Sequence, residues 1–193
     1  MKQSEIIKQL SDSELKKQLF LSQSLFFILS ILLSGFLFDK LTDWQLYFQW
    51  DITELLFCGV LPGLLIVSID VLFLFWLSPK YYDDDGINER IFGNRSVRFI
   101  FSFTLFVAIS EELLFRGVIQ NVFGYLIASS LFAFVHLRYL KKPVLFISIM
   151  FISFFIGYMY ERTNNLLVTI TLHFLVDFLL GMVIRYKKRG VLQ

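Results

Sequence analysis

The sequence predicts an all-α, polytopic integral membrane protein, with about six transmembrane helices around a polar cavity near the midplane. Three observations predict it. Of 193 residues, 56% are apolar and 18% charged, against roughly 25% charged in an average soluble domain. One water-surrounded core of this size cannot bury so much apolar surface. The apolar residues fall into runs near the ~20 residues a helix needs to cross ~30 Å of hydrocarbon. Finally, 15 of the 18 lysines and arginines lie in the N-terminal arm, the second and fourth connections and the tail, against Lys40, Arg116 and Arg162 elsewhere. That bias places both termini in the cytoplasm and makes the number of spans even. The composition excludes a disordered chain, and a net charge of +2 gives no basis for a nucleic-acid partner. The single Cys58 excludes an internal disulfide and a cysteine-based metal cluster.

The elements follow in order. Residues 1–19 form a cytoplasmic arm in which Ile6, Leu10, Leu15 and Leu19 could carry a surface-lying helix, and no cleaved signal is evident. A transmembrane domain covers 20–184. Its expected spans are 20–38; 55–77, interrupted by Pro62 and Asp70; about 100–122; 125–137, after a turn at Phe123 and Gly124; 144–160; and 166–184. Residues 79–96, with Asp83, Asp84 and Asp85, read as a solvated cytoplasmic loop rather than a metal site, and 185–193 as a cytoplasmic tail.

The spans carry more ionisable groups than lipid tolerates without a reason. Each costs about 2.5–3.5 kcal/mol at a helix centre on insertion scales. Glu111, Glu112 and Arg116 lie in the third span, His136 in the fourth, His173 and Asp177 in the sixth, and Asp70 in the second. At 1.5 Å rise per residue, Glu111 lies roughly 16 Å from the inner face, His136 roughly 16 Å from the outer face, and His173 and Asp177 roughly 10 and 16 Å from the outer face. Both histidines of the chain are therefore expected near the midplane. Glu112 and Arg116 are four apart and can pair on one helix face, which leaves Glu111 to face a cavity. His173 and Asp177 also share a face, and Phe132, one turn before His136, can pack beside its ring.

Two chemistries suit these residue types. A buried carboxylate can take a proton from water while a histidine positions that water, and a His/Asp pair can stabilise the oxyanion formed as water attacks a carbonyl. Alternatively, Glu111, His136 and His173 could hold a divalent metal such as zinc, whose bound water is the nucleophile. Both routes end in hydrolysis. Asp70 is assigned a structural or coupling role.

The run Glu111-Glu112-Leu-Leu-Phe-Arg116 resembles the EExxxR signature of the CAAX protease and bacteriocin-processing (Abi) family. Phe132-Ala-Phe-Val-His136 resembles its FxxxH motif, and His173-Phe-Leu-Val-Asp177 its HxxxN/D motif. The resemblance covers about 99–180, taken as the protease-like core. It implies an intramembrane endopeptidase in which Glu111 activates water with the help of His136. His173 and Asp177 would form the oxyanion side, supported by Glu112, Arg116 and Phe132. Asp177 stands where eukaryotic members have asparagine. The implied partners are the bilayer and a membrane-associated peptide or protein substrate, with no cofactor required. The implied location is a bacterial plasma membrane. The competing readings are a non-catalytic membrane regulator or bacteriocin-immunity protein on the same scaffold and, ranked last, an ion-coupled transporter.

Overall fold

The computed structural model describes residues 5, 7, 9–76, 78, 81, 83–140 and 142–190. Lys2, Ile6, Lys8, Leu77, Pro79, Lys80, Lys141, the last three residues of the tail and the side chain of Arg138 lie outside that set. The described secondary structure is helical, with no strand among the described residues.

Helix α1 (Asp12–Leu37) starts well before the expected span, so 12–19 are its first turns rather than a separate arm. Ser11 and Glu14 form a capping box at its start, satisfying backbone N–H groups that the first turn leaves unpaired. Leu15 is buried, and Asp12 pairs with Arg95 at 3.0 Å.

Helix α2 (Ile52–Trp76) runs unbroken through Pro62 and Asp70, contrary to the expected interruption. Leu55–Val60 are wound as a π-turn immediately ahead of Pro62, whose ring clashes with a carbonyl four residues back in a regular α-helix. Gly59 and Gly63 bring α2 close to the last helix. A Cβ on Gly59 would stand 3.2 Å from the Val168 carbonyl oxygen, a close approach that small residues four apart allow.

The expected loop at 79–96 contains a short helix, α3 (Ile87–Phe92). Ile87 and Ile91, one turn apart, bury themselves against Phe103 and Val107, and this packing outweighs the polar composition around them. The acidic triplet is engaged locally. Asp83 accepts from the Gly86 N–H, Asp84 accepts from the Asn88 N–H, and Asp85 pairs with Lys142.

Helix α4 spans 97–123, with a π-helical segment over Leu113–Gln120. Gly124 (φ 89°, ψ 165°) then turns the chain in a conformation open to glycine, and α5 (Tyr125–Val135) follows. Helix α6 (Pro143–Thr163) ends at Asn164 in the left-handed region, and Asn165 caps α7 (Leu166–Lys188) by accepting from the Leu167 N–H. The last turn of α7 thus takes up 185–188, which read as tail.

Among the described residues four helices, α1, α2, α6 and α7, are long and apolar enough to cross a membrane, against the six spans expected. Every 18-residue stretch of α4 holds Glu111 and Glu112 together with Arg98 or Arg116. Helix α5 has 11 residues, or ~16 Å at 1.5 Å per residue, about half the hydrocarbon thickness. It stops because His136 leaves helical geometry (φ −78°, ψ 55°) and a 3-10 turn, Leu137–Tyr139, follows.

Helix α7 is the hub, packed on α2, α3, α4 and α6, while α1 lies along α4 and α5 joins α4 to α6. Leu21, Leu25 and Ile28 of α1 and Leu61, Leu65 and Leu72 of α2 are exposed, as lipid-facing positions are. Arg185 Nε donates to the Arg95 carbonyl at 2.7 Å, and Arg95 holds Asp12. The first turn of α1, the start of α4 and the last turn of α7 therefore meet on one face of the bundle.

Candidate functional site

The site grows from the end of the regular part of α4. Glu111 and Glu112 are adjacent, so their side chains leave the helix about 100° apart and enter different surroundings.

Glu112 is fully buried and serves two partners. Its Oε2 lies 3.4 Å from Arg116 Nε, an ion pair without hydrogen-bond alignment. Its Oε1 accepts from His173 Nδ1 at 2.8 Å. Arg116, also fully buried, donates through Nη2 to the Ser153 carbonyl at 2.9 Å, and its guanidinium lies 4.5 Å from the Phe132 ring centre. Ser153 in turn donates to the Ser129 carbonyl. One polar chain thus ties α4 to α5, α6 and α7. A Cβ on Gly157 would stand 2.6 Å from Ser129 Oγ, so a bare backbone at that position is what lets α6 sit this near to α5.

Glu111 faces elsewhere. Its Oε1 accepts from Gln23 Nε2 of α1 at 3.1 Å, and its Oε2 is buried with no partner among the described residues. Gln23 Oε1 is buried and unpartnered in the same way.

His136 sits at the end of α5 with Nδ1 2.8 Å from the Phe132 carbonyl. A carbonyl oxygen only accepts, so Nδ1 carries the proton, and in the neutral ring Nε2 is an acceptor. Phe132 holds both histidines, with ring centres 4.9 Å from His136 and 5.7 Å from His173. Tyr139 also stacks with His136. His173 Nδ1 likewise donates to a carboxylate, and its Nε2 lies 3.5 Å from Asp177 Oδ2.

Glu111, His136, His173 and Asp177 line one cavity of about 980 Å³, together with Phe132, Gln23 and Asp70. The structure therefore places the four proposed chemical residues in the lining of one cavity, with Glu112 and Arg116 buried outside that lining. One expectation is corrected: the cavity is predominantly apolar, lined by side chains of α1, α2, α6 and α7, with polar groups gathered on parts of its wall. It also reaches Asp83, Asp84, Glu89 and Lys187 at the face where the helix ends meet. Among the described residues no group of three or more His, Cys, Asp or Glu side chains is placed to hold a metal ion. Sequence reasoning missed Gln23 and Ser153. The signal for Gln23 was a lone amide in an apolar span, and Ser153 offered none.

These features define a helical membrane protein with ionisable groups inside its bundle. The chain belongs to the Rce1-like family, type II CAAX prenyl endopeptidase, whose pattern matches residues 93–179; it is in general a family of proteases. The matched segment contains Glu111, Glu112, Arg116, Phe132, His136, His173 and Asp177. It does not contain Gln23 or Asp70. The chain is also similar to an uncharacterized protein of Bacillus subtilis (strain 168), YpbD, at 42% identity over 140 residues, or 72% of this chain and 74% of that protein. No solved structure gives a significant match.

Proposed function

We propose that this protein is an intramembrane endopeptidase that hydrolyses a peptide bond of a membrane-associated peptide or protein, with Glu111 as general base. One observation carries the reading. Of two neighbouring buried glutamates, Glu112 is committed to Arg116 and His173, whereas Glu111 keeps one oxygen without a partner among the described residues and lines the cavity that His136, His173 and Asp177 also line.

Water gives a proton to Glu111 Oε2 while His136 Nε2 accepts its second hydrogen bond and orients it. The water oxygen bonds to the scissile carbonyl carbon, and negative charge develops on the carbonyl oxygen. His173, held as the imidazolium between the Glu112 and Asp177 carboxylates, is the donor on that side through Nε2–H. Asp177, which as a carboxylate cannot donate, orients the ring, and Glu112 holds it from Nδ1. When the tetrahedral species collapses, the C–N bond breaks, and the proton held by Glu111 passes to the leaving amine. Each role is of the kind that positioned acid–base and oxyanion groups fill. No metal enters these steps, so a chelator should leave cleavage unchanged; loss of activity restored by added Zn²⁺ would overturn that part.

In this reading both termini are cytoplasmic; the charge asymmetry and the meeting of the helix ends on one face support it. Substrate then reaches the cavity from lipid or from the cytoplasmic side. The test compares the peptides of membranes carrying wild-type protein or Glu111→Gln at equal protein level. Peptides that vanish with Glu111→Gln are expected. Identical peptide sets would move the reading to the non-catalytic regulator.

A further inference from the structure

We infer that Gln23, on a helix outside the family-matched segment, is a positioning residue for Glu111 and helps to bind the water that Glu111 activates. The inference rests on the hydrolytic reading above.

The polar residues buried along α1 are Gln23, Ser30 and Ser34. The two serines turn their hydroxyls back to carbonyls of their own helix, Phe27 and Ile31. Gln23 instead crosses to α4. Its partner fixes its orientation. An ionised carboxylate only accepts, so the amide nitrogen must face Glu111, which directs Gln23 Oε1 away from that bond. Two acceptor atoms, Gln23 Oε1 and Glu111 Oε2, are then left buried without a protein donor among the described residues, and both side chains line the cavity. Buried acceptors of this kind are satisfied by ordered water. One water offers two O–H groups, the number these two atoms need. A water held so has one hydrogen already on the oxygen of the base, and its second hydrogen passes from Gln23 Oε1 to His136 Nε2 when the water turns to attack the substrate carbonyl.

The helix contact does not depend on the amide. Phe20 packs on Phe103 and Phe106, and Phe26 packs on Phe115, so α1 keeps its seat on α4 when Gln23 is changed. A role in helix packing and a role in positioning therefore predict different outcomes.

The probe is the membrane peptide whose release depends most strongly on Glu111, assayed with purified full-length protein in lipid vesicles. Gln23→Met keeps the length and removes the amide. It should lower kcat about tenfold or more, the size of a lost hydrogen bond to a charged group, with KM and unfolding temperature at wild-type values. Gln23→Glu, which cannot donate to Glu111 when ionised, should lose at least as much. Added to Glu111→Gln, Gln23→Met should cost no further activity, because it acts through the residue already changed. Wild-type kcat in Gln23→Met, or losses that multiply in the double variant, would overturn the assignment while leaving Glu111 as base. Loss of folded protein in both Gln23 variants would assign the residue to packing and overturn it equally. If no peptide depends on Glu111, the hydrolytic reading fails and the inference falls with it.

Discussion

Glu111 and Glu112 are chain neighbours on one helix, nearly equally buried, yet one is spent on structure and the other is not. Around Glu112 the protein has surrounded charge with charge: Arg116 on one oxygen, His173 on the other, and beyond them Ser153 and the Phe132 ring. Around Glu111 a single neutral amide answers one oxygen, and the rest of the carboxylate meets the cavity. An ion pair out of water survives only when both members are matched, so the Glu112 face is intolerant of change. The Glu111 face is built to leave capacity unused, which is what a group that must exchange a proton needs. Two functions that conflict, fixed pairing and open reactivity, are separated by one residue's rotation.

The comparison breaks first at Glu112. Glu112→Gln leaves Arg116 without its carboxylate in a buried place, and removal of one partner of such a pair costs about 3–5 kcal/mol. The expected outcome is a large drop in folded protein, read by thermal unfolding in detergent, with loss of activity in whatever remains. Replacing both residues, Glu112→Gln with Arg116→Met, should restore much of the stability, because no unpaired charge is left. Activity should stay low, because the neutral amide is a weaker anchor for His173 Nδ1. Recovery of both together would show that the Glu112 face is scaffold alone.

Glu111→Gln should give the opposite pattern. The side chain keeps its shape, and its carbonyl oxygen can still accept from Gln23. Stability should therefore stay near wild type while activity falls at least about 10²-fold, the usual size of a general-base contribution. Full activity in this variant would remove the distinction between the two glutamates.

Much of this contrast was legible before any coordinates, because it is local. A spacing of four pairs Glu112 with Arg116, and one step of a helix turns Glu111 away. The i,i+4 relations of Phe132 with His136 and of His173 with Asp177 are likewise local, and each is present. What stayed hidden depends on contacts distant in sequence or on departures from regular helix. The bond from Gln23 to Glu111 joins residues 88 apart, and that from His173 to Glu112 joins residues 61 apart. Hydropathy cannot separate an apolar cavity wall from a lipid-facing surface, so the cavity read as more polar than it is. The end of α5 at Val135 was hidden because Leu137 resumes the apolar run directly after His136, and the turn lies in the backbone angles of His136. Residues 87–92 read as loop because the charged residues around Ile87 and Ile91 outweigh them in number, although those two isoleucines decide where the segment packs.

The smallest effect belongs to the rim of the cavity, and it gives the contrast an outer limit. Lys142 pairs with Asp85 at 2.9 Å, with the two side chains 28% and 42% exposed. The hydrogen bond to Asp85 raises the lysine above its ordinary value of 10.5, against the opposing effect of burial. A pair this exposed is screened by water and salt and contributes about 0–1 kcal/mol. Because the folded-state value is raised, the contribution is fully present below the unfolded value near 10.5 and is lost as pH rises through the folded one. Lys142→Met should therefore lower stability by no more than about 1 kcal/mol. From neutral pH to the approach of that upper range the deficit should be level; it should vanish above it, and high salt should shrink it. Thermal unfolding of wild type and variant at a series of pH values measures the difference directly. A deficit as large as that of Glu112→Gln would mean that the link between Asp85 and Lys142 carries the fold, and that charge pairing at the rim and in the bundle cannot be ranked by burial.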